Sequence, residues 1–150
     1  AVDRAEQNLT LARKMGASAT VLSTPETTVR ELRGAAGGAA GAVIDFVNNG
    51  ATATLAFEVL AKAGIMVQVG LFGGEVTVPT ALVALRMIRM EGSFVGTLDQ
   101  LRDLVGIARA GQIPTIPIAE RDLSAHEVTR ALDELTAGGV AGRIVLTAPH

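Results

Sequence analysis

Ala42-Val43-Ile44-Asp45-Phe46-Val47-Asn48-Asn49-Gly50 is the stretch that decides the fold. Its first six residues are apolar except for Asp45, as in a strand covered on both faces, and Asn48-Asn49-Gly50 is a turn. Residues 52–63 follow with helical spacing, carrying Leu55, Val59 and Leu60 inward, and Gly64 closes them. Residues 65–69 (Ile-Met-Val-Gln-Val) form a second buried strand that runs into Gly70-Leu71-Phe72-Gly73-Gly74. A strand, a helix of ten or more residues and another strand predict a parallel pair joined by a crossover helix.

The same alternation extends in both directions. Upstream, residues 1–3 read as the tail of a strand, and residues 4–15 as a helix with Leu9, Leu11, Ala12 and Met15 at helical spacing and Gly16 behind it. Residues 19–22 are a short strand. Thr24 as N-cap and Pro25 in the first turn predict a helix reaching about residue 33, and the glycine-rich residues 34–41 a flexible connector. Downstream, residues 75–78 are extended and residues 80–90 helical, with residues 93–96 a strand. Residues 98–110 form an amphipathic helix with Leu98, Leu101, Leu104, Val105 and Ala108 on one face. Strand 116–121, helix 124–137 with a Ser124/Glu127 capping box, and strand 143–147 complete the chain. The pattern predicts an α/β fold with a parallel sheet.

Composition narrows the chemistry. The chain has 150 residues, 49% hydrophobic and 19% charged, with 17 glycines and a net charge of −2. Its mean hydropathy is +0.40. That excludes disorder, and the absence of a basic stripe argues against nucleic acid. Cysteine, tyrosine and tryptophan are absent and histidine occurs twice, which removes a thiol nucleophile, a Tyr acid/base and a histidine-rich metal site. No apolar run approaches the ~20 residues of a membrane span. A soluble, cytoplasmic chain poor in catalytic side chains is expected, with no catalytic or metal-binding residue of its own.

Few residues remain that could bind a ligand. Asp3, at the carboxyl end of a strand leading into a helix, stands where α/β sheets hold the ribose hydroxyls of a dinucleotide; equally, it could cap that helix. Residues 34–41 precede a strand and cannot cradle a phosphate, whereas Gly70-x-x-Gly73-Gly74 follows one and suits a cofactor-edge turn. Asp45 is expected to bond neighbouring backbone rather than react. His126 reads as solvated and His150 as terminal. Arg143, after Gly138-Gly139-Val140-Ala141-Gly142, could reach a pyrophosphate or be a surface arginine.

Together these pieces resemble the medium-chain, zinc-type alcohol dehydrogenases. Ala1-Val2-Asp3-Arg4 through Ala12-Arg13-Lys14-Met15-Gly16-Ala17 resembles the second strand and helix of that family's cofactor domain. Val43-Ile44-Asp45-Phe46-Val47 and Gly64-Ile65-Met66-Val67-Gln68-Val69-Gly70 resemble its next two strands. Leu132-Asp133-Glu134-Leu135 to Gly142-Arg143-Ile144-Val145-Leu146 resembles its last helix and strand.

The resemblance implies an α/β, Rossmann-like three-layer parallel sheet truncated at its N-terminus, and hydride transfer between an alcohol or carbonyl and NAD. By position it implies Asp3 on the adenosine ribose, Arg4 beside the adenine, and Val47 and Asn48 lining the crevice. It implies Val69, Gly70 and Leu71 at the nicotinamide end, backbone of Phe94 and Val95 toward the carboxamide, and Arg143 on the pyrophosphate. A dimer through the edge near residues 93–96 is also implied. Residues 1–94 would be a partial dinucleotide-binding domain, and residues 95–150 a segment returning toward a catalytic domain.

The family's first strand and glycine-rich turn, about twenty residues before the acidic residue, have no counterpart here, nor has its zinc-bearing domain. The chain alone is therefore expected to be inactive, with any zinc held elsewhere. In strand order 3-2-1-4-5-6 the missing strand separates the strand at Val2 from that at Val43. Two alternatives stand beside this: a zinc-independent quinone or enoyl reductase fragment, which Asp3 disfavours because such enzymes usually take NADP, and a non-catalytic nucleotide-sensing or assembly module.

Overall fold

In the computed structural model, which describes residues 1–138 and 140–148, strands and helices alternate throughout. In chain order they are β1 (Val2–Asp3), α1 (Glu6–Lys14), β2 (Val21–Leu22), α2 (Val29–Ala36), β3 (Ala40–Asp45), α3 (Gly50–Val59) and β4 (Leu60–Gln68). Then come α4 (Thr80–Arg86), β5 (Arg89–Gly92), α5 (Leu98–Arg109), β6 (Ile118–Asp122), α6 (Ala125–Thr136) and β7 (Arg143–Thr147). Every strand pairing is parallel, in the orders β1-β2, β3-β4-β5 and β6-β7. The α/β class is as the sequence predicts, and β1 and β3 lie in different sheets. No helix among the described residues is long and apolar enough to cross a membrane.

The chain divides into two compact units, Ser23–Asp103 and the pair of segments Ala1–Leu22 and Leu104–His150, with the boundary inside α5. In the Ser23–Asp103 unit, Ala53, Ala56, Phe57, Leu60, Met66 and Ile88 form a buried cluster, joined by Val43, Val76, Val78 and Val83. The α3 C-terminus is capped by cations: Arg33 Nη2 donates to the Glu58 carbonyl at 2.7 Å and Arg86 Nη2 donates to that of Leu60. Arginines there satisfy orphan carbonyls and complement the helix dipole.

Several boundaries differ from the sequence expectation, each for a local reason. α2 starts after Thr28, not Thr24, because Thr28 and Glu31 form a reciprocal capping box that satisfies two amides. Thr24 instead closes a turn, accepting from the Glu26 amide. The helix runs to Ala36, into the expected connector, and ends at Gly37 with φ 71°. α3 stops at Val59 rather than residue 63: Leu60 is already extended, and the chain bulges between the pairs Ala40↔Leu60 and Ala42↔Ile65, with Ala63 at φ 61°.

α4 likewise ends early, with Met87 in the left-handed region, so β5, the third strand of the β3-β4-β5 sheet, is Arg89–Gly92. Residues 93–96 are therefore not a strand but the segment that leaves one. The α6 capping box is half formed. Ser124 Oγ accepts from the Glu127 amide at 3.2 Å, but the Glu127 carboxylate pairs with Arg130 at 3.0 Å. The apolar face of α5 is exposed. His150 and Gly139 lie outside the described residues.

Candidate functional site

Register places the ends of three strands in one row: Asp45 lies across from Gln68, and Gln68 across from Gly92. The segments that follow all depart from this edge, with the Ser93 amide donating to the Gln68 carbonyl at 2.9 Å where pairing ceases. The carboxyl edge of a parallel sheet is where such folds bind ligands, because the diverging turns leave a crevice there.

Asp45 organises the first turn. Only 7% exposed, it accepts at Oδ1 from the amides of Val47 (3.0 Å) and Asn48 (2.8 Å). Its main-chain carbonyl accepts from Val69 and Gly70 at 2.9 and 3.0 Å. Oδ2 is buried and without a partner among the described residues. The carboxylate thus bonds neighbouring backbone, as the sequence suggests.

Asn48 ties this turn to the next. It sits at φ 56°, a conformation asparagine tolerates better than most residues. Its Nδ2 donates to the Gly70 carbonyl at 3.0 Å and its Oδ1 accepts from Gln68 Nε2 at 2.9 Å. Gly70 must be glycine here, since a Cβ would run into the carbonyl oxygens of Val47 and Phe46. The Phe72 amide donates to the Val47 carbonyl at 3.2 Å, and Asn49 bridges to Gly73 while capping α3 through Thr52.

Seven of the residues singled out in the sequence share this edge: Val47, Asn48, Val69, Gly70, Leu71, Phe94 and Val95. The side chains of Val47, Leu71, Phe94 and Val95 are exposed, and Val95 takes φ 50°, unusual for a β-branched residue. Sequence reasoning missed Gln68 and Asn49. The signal for Gln68 was present: a lone amide closes an otherwise apolar strand beside a strand closed by a lone carboxylate.

Asp3, Arg4 and Arg143 lie in the other unit. Asp3 Oδ1 accepts from the Ala5 amide at 2.8 Å and Asn8 Nδ2 at 3.1 Å, while Ala5 is the N-cap of α1. Asp3 therefore holds the turn into the helix with one oxygen, and Oδ2 has no partner among the described residues. Arg4 is exposed. Arg143 opens β7, its amide donating to the Pro117 carbonyl at 2.9 Å, with an exposed side chain.

The same unit carries a charge network. Arg121 grips Glu134 with two bonds, 2.6 and 3.2 Å, and Arg130 bonds Glu134 at 3.1 Å. The Arg121 hydrogen bonds, then that of Arg130, hold the Glu134 carboxyl below its ordinary range, and Glu134 raises Arg121 in turn. Among the described residues no three His, Cys, Asp or Glu side chains converge as a metal would require.

Comparison with known proteins gives a consistent picture. The family profile described as zinc-binding dehydrogenase matches residues 1–109. The NAD-dependent alcohol dehydrogenase of Sulfolobus acidocaldarius is 35% identical over 149 residues, 97% of this chain and 41% of that protein. The enzyme of the same name from Sulfurisphaera tokodaii is 32% identical over 97% of this chain and 42% of its own length. Among solved structures, the alcohol dehydrogenase of Aeropyrum pernix superposes with a TM-score of 0.85 at 31% identity, covering 97% of this chain and 41% of that one. The chain thus spans about two fifths of the relatives it matches.

Proposed function

Because this chain belongs to the zinc-binding dehydrogenase family, we propose that it supplies part of the cofactor site of an NAD-dependent alcohol dehydrogenase. Such an oxidoreductase moves a hydride between NAD and an alcohol or carbonyl. The observation that carries this is the aligned row Asp45, Gln68 and Gly92, from which three turns open at one carboxyl edge.

The residues fit the group. The Gly70 amide and carbonyl are engaged inward, whereas the Leu71 amide and the Val69 carbonyl have no partner among the described residues and stay open to a carboxamide. Exposed Val47, Leu71 and Phe94, with Val95 beside them, offer apolar cover that excludes water from the nicotinamide face. In the other unit, Asp3 keeps Oδ2 for a ribose hydroxyl and repels a 2′-phosphate, with Arg4 toward the adenine and Arg143 for the pyrophosphate. When bound, NAD would supply the hydride acceptor for an alcohol carbon or, reduced, the hydride donor for a carbonyl, and the residues of this chain would hold and orient it.

The proposal extends to the whole protein. Zinc and the proton relay come from outside this chain, which alone turns over no substrate. Residues 1–94 serve the dinucleotide and residues 95–150 return toward the catalytic domain. Cytoplasmic dimers pair at the edge strand preceding residues 93–96. The test is titration of NADH and NADPH into the full-length protein carrying this chain. NADH is expected to bind at least about tenfold tighter, and Asp3→Ser to narrow the gap. Equal affinity for the two overturns the proposal.

A further inference from the structure

The family resemblance puts Asn48 along the crevice, yet its side chain is spent within the protein. Both halves of its amide are used across two turns: Nδ2 donates to the Gly70 carbonyl and Oδ1 accepts from Gln68 Nε2. Its own amide is held by Asp45 Oδ1, and its backbone stands at φ 56°. We infer that Asn48 is a positioning residue for the nicotinamide end of the dinucleotide, acting through Gly70 rather than by touching the cofactor. The inference rests on the cofactor site proposed above.

The geometry leaves little choice of side chain. One donor and one acceptor are needed in that order, on a residue that tolerates the left-handed region. Glycine takes the backbone but makes neither bond. Aspartate keeps the acceptor for Gln68 but sets a carboxylate oxygen against the Gly70 carbonyl. With the clamp closed, the Gly70 carbonyl is turned toward the Asn48 side chain and its amide toward the Asp45 carbonyl. The adjoining Leu71 amide and Val69 carbonyl are thereby the open groups of this turn. Without it, the Gly70–Leu71 peptide can rotate and the Leu71 amide loses its fixed direction, while the Val69 carbonyl stays held through the Gly70 amide on the Asp45 carbonyl. Preorganised donors lose binding strength when they must be oriented at the moment of binding.

The experiment compares NADH with ADP-ribose, which has the adenosine and both phosphates but no nicotinamide. In the full-length protein, Asn48→Gly is expected to weaken NADH binding about tenfold and leave ADP-ribose binding unchanged. Gln68→Met, which removes one bond without touching the left-handed backbone, shifts the same ratio in the same direction by less, and carries the test if Asn48→Gly does not fold. Asn48→Asp falls with Asn48→Gly. Equal losses for both ligands, as a merely structural clamp gives, or no loss at all, overturn the inference. If the unsubstituted protein binds neither ligand, the cofactor proposal itself fails, a result distinct from these.

Discussion

The two compact units hold themselves together by different means. Ser23–Asp103 has a core, with Met66 and Leu60 at 0% and 1% exposure beneath α3 and β4. The unit formed by Ala1–Leu22 and Leu104–His150 buries only Leu9 and Ala131 among its described apolar residues, while Ile118, Leu132 and Leu135 stay exposed. It also carries the β1-β2 and β6-β7 ladders and a partly exposed charge network of Arg121, Glu127, Arg130 and Glu134. The lesson concerns polar groups. Where apolar burial supplies the stability, polar side chains such as Asp45 and Asn48 are left to shape an edge; where burial is scarce, charged side chains pair with one another, and whether those pairs add cohesion is open to test.

The strongest way to break that contrast is Phe57→Ala. Phe57 is 3% exposed and lies under the Arg86 guanidinium, 5.4 Å from its ring centroid. Truncation should cost about 3–5 kcal/mol through lost burial and a cavity. Amide exchange should rise across β3 and β4 and barely change in β6 and β7. An equal rise in both sheets would show that the units do not differ as described.

Asp45→Ala comes next, at about 1–3 kcal/mol, because it leaves the part-buried Val47 and Asn48 amides without their carboxylate acceptor. Asp45→Asn should cost less, since Oδ1 survives and Oδ2 has no partner to lose. Urea denaturation of the pair checks this. Equal losses would mean that the charge, not the acceptor, matters.

The sequence showed the alternation clearly, since short runs such as residues 42–47 and 65–69, each apolar but for one polar residue and bounded by turn residues, read as strands beside covering helices. It misjudged the exits. Thr24-Pro25 and Thr28/Glu31 are rival starts for one helix, and a reciprocal box outcompetes a lone cap only once its geometry is known. Residues 60–63 look helical by composition, but pairing to Ala40 pulls Leu60 into the sheet. The site was legible as a set of positions, because turns after buried strands can be counted along the chain. The Asn48–Gln68–Gly70 clamp was not, because it depends on which strand-end residues face one another, a property of register.

A smaller effect sharpens the second unit. Ser124→Ala removes the one formed half of the α6 cap and should cost about 1 kcal/mol. Chemical denaturation followed at α6 checks it. A cost near zero would mean that the Glu127 amide finds water as readily as Ser124.

The smallest effect is the most diagnostic, because it asks whether charge holds the second unit. Glu134 has a folded-state carboxyl below its unfolded value, first because Arg121 bonds it and then because Arg130 does. A depressed carboxyl contributes stability that is complete above the ordinary glutamate value and lost as pH falls through the lowered one. Arg121, Arg130 and Glu127 are the charged groups facing it, and Glu127 lies 3.8 Å from Arg121, so protonating Glu134 leaves Arg121 one weaker partner. As pH falls below the ordinary glutamate range and through the lowered Glu134 value, amide protection in α6 and β6 should therefore fall faster than in β3 and β4. Glu31, also lowered by its Thr28 bonds, sits in the first turn of α2 and should loosen that turn alone. Glu134→Gln should remove the extra acid sensitivity of α6 and β6, since glutamine does not titrate. If the acid response of those elements survives the substitution, the charge network is incidental and cohesion in that unit has another source.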